Sequence, residues 1–158
     1  ALTGFIPVWQ QRMQNDALLA QYLQADFALP RAFHTTPARW FDEQLKPVFN
    51  IDVYATPFPR EQGYAIYSSE KARLLVLRLE NLAQCASQAI GEFLGLPHFN
   101  LRNDNAGETL SAGVLYQRFK NGLASPAYLE QMYATKYARH FYAPEELAAF
   151  AAKWSHKV

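Results

Sequence analysis

The stretch Leu74-Leu75-Val76-Leu77-Arg78-Leu79 constrains the fold of this chain more than any other. Its almost unbroken apolar character fits a strand covered on both sheet faces, because a strand with one wet face alternates. Directly after it Glu80-Asn81 offers helix-capping side chains. Leu82, Ala86, Ala89, Ile90 and Phe93 then recur at three- and four-residue spacing until Gly95 and Pro97. Strand, tight turn and helix make half of a parallel crossover unit. The pattern therefore predicts a central strand over 74–79 and a helix that packs through Leu82, Ala86, Ile90 and Phe93.

The rest of the chain supplies mainly helices. Asp16 can cap a helix carrying Leu18, Leu19, Tyr22 and Leu23, which ends before Pro30. Thr36-Pro37 is a cap and first-turn signal for a short helix with Trp40, Phe41, Gln44 and Leu45, closed by Pro47. Phe49 to Pro59 alternates briefly and then meets prolines, which predicts an extended connection or a very short strand. Gly63-Tyr64-Ala65-Ile66-Tyr67 is a second strand candidate, followed by a polar turn over 68–72. Further helices are predicted around Leu110, Val114, Leu115 and Phe119, and from Ser125-Pro126 with Leu129, Met132, Tyr133 and Tyr137 inward. The last starts near Pro144, where Glu145 and Glu146 suit the positive end of the helix dipole.

Composition narrows the class of function. The chain has 158 residues, half of them apolar, enough for a core of its own, and no internal boundary or repeat divides it. Fifteen Lys and Arg against fourteen Asp and Glu leave a formal charge of +1, so the basic excess that a nucleic-acid partner calls for is missing. Eleven Phe, nine Tyr and three Trp are an ample aromatic supply that suits buried contact with a protein partner. Cys85 is the single cysteine, which excludes an intrachain disulfide. No apolar run has the length of a membrane span, and Ala1 to Trp9 has no signal-peptide pattern, so cytoplasmic residence is the default expectation.

Four stretches together resemble one family. They are Trp40 to Phe49 running into Ile51-Asp52-Val53-Tyr54; Leu75 to Leu82; Glu92 to Leu96 followed by Asn103-Asp104-Asn105; and Thr135 to Tyr142 with Pro144-Glu145-Glu146. Their order and spacing are similar to the later part of the sulfotransferase-like capsular polysaccharide synthesis proteins, from about residue 40 onward. The resemblance implies an α/β fold, mainly helical with a small sheet: a partial P-loop-NTPase/sulfotransferase-like fold lacking the N-terminal nucleotide-binding unit. Residues 1–158 are then one domain, with 1–39 a helical lead-in and 40–158 the region of resemblance. Sulfuryl transfer needs backbone N–H groups around the donor's phosphates, a cation at the leaving group and a base for the acceptor hydroxyl. The resemblance places the donor loop on an early strand-loop-helix unit. The seven glycines here are scattered and none is followed by Lys-Ser or Lys-Thr, so no phosphate cradle is assigned.

Among individual residues, Lys136, Arg139 and His140 cluster in one helix beside Phe141-Tyr142 and form the candidate anion or partner contact, with Tyr142 and Arg78 included. The plain alternative is that the cations complement a helix C-terminus, that Arg78 pairs with a carboxylate and that Glu80 caps the next helix. Adjacent Asp42 and Glu43 point to different sides of a helix and make no catalytic pair. His34, His98 and His156 have no second ligand at metal spacing, and Cys85 lies at the edge of an apolar helix face as core filler. The expected function is a sulfotransferase-related domain that needs no cofactor and is not catalytic by itself, a structural or adaptor subunit of a larger assembly. The alternative is the acceptor-side half of a carbohydrate sulfotransferase that uses 3′-phosphoadenosine 5′-phosphosulfate (PAPS) and a carbohydrate acceptor. For the adaptor, an exposed apolar patch is expected where the donor half would dock.

Overall fold

Residues 64–77 fold back on themselves as a hairpin. The structure, a computed structural model, describes Pro30, residues 32–101 and residues 124–155. Strands β1 (Tyr64–Ser68) and β2 (Arg73–Leu77) pair antiparallel, Tyr64 opposite Leu77 and Ser68 opposite Arg73. Ser69 Oγ shapes the turn between them. It accepts from the backbone N–H of Lys71 (3.1 Å) and Ala72 (3.2 Å) and donates to the Phe49 carbonyl at 2.6 Å.

Both faces of the hairpin are covered, and this explains the continuous apolar run. Ala65, Tyr67, Leu74 and Val76 pack against a cluster of Leu45, Ile51, Val53, Phe58 and Phe141. Leu75 and Leu77 turn the other way, toward Tyr64, Cys85 and Ala89. The expected central strand is corrected, because the sheet is two-stranded among the described residues. The strand is also shorter than predicted. Arg78 still donates its N–H to the Gly63 carbonyl (2.8 Å), but Leu79 is 79% exposed and opens a 3-10 turn over Leu79–Asn81. A buried arginine at position 78 ends the run, since its charged group needs partners that a sheet does not supply.

Helix α3 (Leu82–Leu94) follows at once. Its buried residues are Cys85, Ala86 and Ala89, whereas Leu82, Ile90 and Phe93 are half-buried. The contact face is thus centred on small side chains, and Cys85 lies at its middle instead of its edge. Gly63 is the cause. It has φ +77°, and a Cβ placed on it would lie 2.4 Å from Asn81 Cβ, so the start of α3 sits directly against bare backbone. At such close approach small residues fill the gap that larger ones would hold open. Asn81 is spent on this contact and makes no side-chain cap. The helix stops at Gly95 (φ +69°), whose N–H returns to the Gly91 carbonyl.

The helical segment before the hairpin is longer than Thr36 and Pro47 predict. Helix α1 (Ala32–Trp40), a π-helical turn (Phe41–Leu45) and helix α2 (Lys46–Phe49) run on without a break. The Thr36 hydroxyl is no cap, since it donates back to the Ala32 carbonyl at 2.8 Å. Pro47 does not close the helix either. It has no N–H for the Glu43 carbonyl and its ring would crowd that group. The preceding turn widens, with the Lys46 N–H reaching back to the Phe41 carbonyl. The run ends at Asn50 in the left-handed region, φ 55°. Beyond it Ile51, Val53 and Phe58 are buried without forming a strand, because Asp52 takes the Tyr54 N–H (2.9 Å) in a local turn.

Two compact units divide the described residues: one holds those of Ala32–Arg102 and Ala134–Leu147, the other those of Ala1–Arg31, Asn103–Tyr133 and Ala148–Val158. A single helix expected from Ser125 through Tyr137 is two. Helix α4 (Pro126–Tyr133) is capped by Ser125, whose Oγ accepts from the Tyr128 N–H at 3.0 Å. Helix α5 (Lys136–Phe141) starts anew because Thr135 is extended and its side chain accepts from the Ala138 N–H at 3.2 Å. Helix α6 (Pro144–Ser155) begins where Pro144 predicts. In the second unit Leu129 is buried and the Tyr133 and Phe150 rings lie 6.5 Å apart. The helices expected around Leu18 and Leu115 lie outside the described residues. The described chain is mainly helical with one small antiparallel sheet, and no described helix is long and apolar enough to cross a membrane.

Gly63→Ala is expected to destabilise the protein by about 2–4 kcal/mol, since it combines a left-handed backbone with a steric overlap on Asn81. Gly95→Ala, with φ +69° but open space around it, should cost only about 1 kcal/mol. Chemical denaturation of the two variants checks the difference.

Candidate functional site

The turn that ends β2 brings a charged side chain into the interior. Arg78 is 6% exposed and grips the Glu146 carboxylate with two nitrogens, Nη2 at short range to Oε1 and Nη1 3.4 Å from Oε2. Nη1 also donates to the Arg60 carbonyl at 3.4 Å, and the guanidinium lies over the Tyr142 ring, 4.6 Å from its centroid. Glu146 has a second task. As the third residue of α6 it accepts the Ala143 N–H at 2.8 Å, which satisfies an open donor at the helix start. Arg78 holds the Glu146 carboxyl below its ordinary value, and the Ala143 N–H adds to this against the opposing effect of burial. The Tyr142 hydroxyl donates to Glu80 at 3.1 Å, so Glu80 is engaged there and caps no helix.

A second arginine ties this group to α5. Arg60 donates from Nη2 to the Arg139 carbonyl (2.6 Å) and from Nε to the His140 carbonyl (3.3 Å), a guanidinium closing the negative end of a helix. The opposite end is unusual. Lys136 opens α5, although the sequence places it in a cluster at the helix end, and a cation is poorly suited to the positive pole. Asp42 compensates by accepting from Lys136 Nζ at 2.8 and 2.9 Å, and the ammonium also sits 3.9 Å from the Tyr54 ring centroid.

Between the segment 54–62 and the end of α5 is an open cleft of about 810 Å³. Tyr54, Phe58, Arg60 and Glu61 line one side, and Arg139 and His140 the other. Pro57 and Pro59 fix the backbone on either side of buried Phe58, so the wall is stiff. The His140 ring meets Tyr54 edge-on at 4.9 Å and Phe141 at 4.8 Å. Burial pushes His140 below its ordinary value, with Arg60 adding to this, while the Val53 backbone acts the other way. Burial likewise pushes the Tyr54 hydroxyl up to about 12. Tyr54 Oη and His140 Nε2 are both buried and have no hydrogen-bond partner.

The sequence-predicted residues therefore divide. Arg78, Tyr142 and Lys136 are held in structural pairs, while Arg139 and His140 reach the cleft. Tyr54, Phe58 and Arg60 were not foreseen as site residues. The signal available for them was the pair of prolines around Phe58 just before an arginine. Among the described residues no group of His, Cys, Asp and Glu could hold a metal ion.

No solved structure and no curated protein matches the chain. The profile of the NKWYS family, described as "Putative capsular polysaccharide synthesis protein", matches residues 29–143, and the chain belongs to that family.

Removing Glu146 should be costlier than replacing Arg78. Glu146→Ala leaves a nearly buried guanidinium without counter-charge, an expected loss of about 3–5 kcal/mol, whereas Arg78→Met keeps the volume and should lose roughly half of that. The pH dependence follows from the lowered Glu146 value. Its contribution is complete above the ordinary value of 4.5 and disappears as pH falls through the lower folded value. Melting curves from about pH 7 to about pH 3 should thus fall less steeply for Glu146→Gln than for the natural chain. For His140 the folded value lies below 6.5, so the unfolded chain binds more protons in that window and stability rises with pH through it.

Proposed function

We propose that this chain serves capsular polysaccharide synthesis by binding: a sulfotransferase-related domain, not catalytic by itself, that acts as a structural or adaptor subunit. The observation that carries this is the engagement of Arg78, Glu80 and Lys136. Arg78 and Glu80 follow the end of a strand, where sheet proteins often place binding groups, Lys136 belongs to the candidate anion contact, and each is committed within the chain: to Glu146, Tyr142 and Asp42 respectively. Residues fixed in that way hold elements together and are poorly placed to meet a charged donor. Exposed Trp40, Val48 and Phe49 around α2, with Leu94 at the end of α3 and Leu96 and Leu101 beyond it, offer apolar contact to a protein partner.

One observation favours a second reading, the acceptor-side half of a PAPS-dependent carbohydrate sulfotransferase. Arg139 and His140 line the cleft, with Arg139 exposed there, where the other candidates are engaged. Calorimetric titration with adenosine 3′,5′-bisphosphate, the donor's product form, separates the two. The binding reading expects no heat of binding. Micromolar affinity would overturn it in favour of the enzyme.

A further inference from the structure

The cleft beside α5 contains an unbalanced set of polar groups. Arg60 gives its hydrogen bonds to backbone carbonyls and none to a carboxylate. Arg139 is exposed, and its guanidinium has no ion pair or hydrogen bond among the described residues. Glu61 is the one carboxylate in the lining, against these two arginines. The balance favours an anion. Tyr54 and His140 also line the cleft, and Tyr54 Oη and His140 Nε2 are buried polar atoms without hydrogen-bond partners, which native interiors seldom leave unused. A hydroxyl both donates and accepts, so it can serve either atom in either imidazole tautomer. The cleft volume of about 810 Å³ lies within the range of small-ligand sites. Its stiff proline-flanked wall, with Arg60 anchored to α5, needs little ordering on binding.

We propose that this cleft binds an anionic saccharide, with Arg139 and Arg60 facing an oxyanion on the sugar and Tyr54 and His140 taking its hydroxyls. The choice of a sugar rests on the role in capsular polysaccharide synthesis proposed above; the anion and hydroxyl requirements rest on the cleft itself. The oxyanion is a uronic carboxylate or a sulfate ester, and the two share the same recognition by guanidinium.

The full chain is titrated with a glucuronate-containing disaccharide, a sulfate-ester disaccharide, their uncharged parent and inorganic sulfate. Both charged sugars, or one of them, should bind, with the uncharged parent and inorganic sulfate each at least about tenfold weaker. The tighter charged sugar identifies the source of the anion. Arg139→Gln should lose about tenfold in affinity at an unchanged melting temperature. Tyr54→Phe should weaken binding severalfold without lowering the melting temperature, because it deletes a hydroxyl that has no partner in the free protein. Failure of every saccharide to bind, full affinity in Arg139→Gln, or inorganic sulfate binding as tightly as the sugars would each overturn the proposal. The bisphosphate titration is independent of these results: silence there together with silence here removes the saccharide site and leaves the adaptor role standing.

Discussion

Burying a guanidinium costs several kilocalories per mole unless its charge is met, and Arg78 meets that need, and engages its two terminal nitrogens, through elements far apart in the chain. Glu146 supplies the charge, the Arg60 carbonyl accepts a hydrogen bond, and Tyr142 gives a ring face. Each contact fixes something else. Glu146 is also the acid that satisfies the start of α6, Arg60 closes the end of α5, and Tyr142 holds Glu80 in the turn after β2. The end of the hairpin, the 54–62 segment and two helix termini are positioned by one ion pair. A change at any of these points reaches the others through it.

The same arrangement explains why the cleft is open while the neighbouring charges are closed. Arg60 can wall the cleft because its guanidinium is anchored to the α5 carbonyls and its backbone to Arg78. Lys136, at the opposite pole of α5, is held by Asp42, and Asp42 sits in the π-helical turn that Pro47 imposes. A proline in α2 thereby helps to seat a lysine and a tyrosine next to the cleft. Tyr54 lies between Lys136 over its ring and His140 at its edge, which leaves its orientation little freedom.

Much of the fold was legible in the sequence, for reasons that differ by element. The run Leu74 to Leu77 announced coverage on two faces, and the hairpin has it. The signals at Ser125-Pro126, Pro144 and Gly95 were local and held, since capping depends on a few adjacent residues. Thr36 and Pro47 misled because a helix can absorb each, Thr36 by bonding back to the Ala32 carbonyl and Pro47 by widening the turn before it, whereas Asn81 misled because a tertiary contact with Gly63 uses it. Of the site residues, Arg139 and His140 could be named in advance. Tyr54 and Arg60 could not, because their role depends on a contact with α5 that lies some 80 residues away for Arg60.

By itself the sequence determined most of the described helices, the two apolar strand segments and the membership in a capsular polysaccharide synthesis family, all of which rest on short-range pattern and residue order. Only the tertiary structure decided which charges are spent and which remain available. Arg78 and Arg139 are chemically identical side chains, one of them buried against Glu146 and the other exposed at the rim of a cleft. That difference arises from where the chain brings a carboxylate and how much water each guanidinium keeps, and neither is written in the residue type.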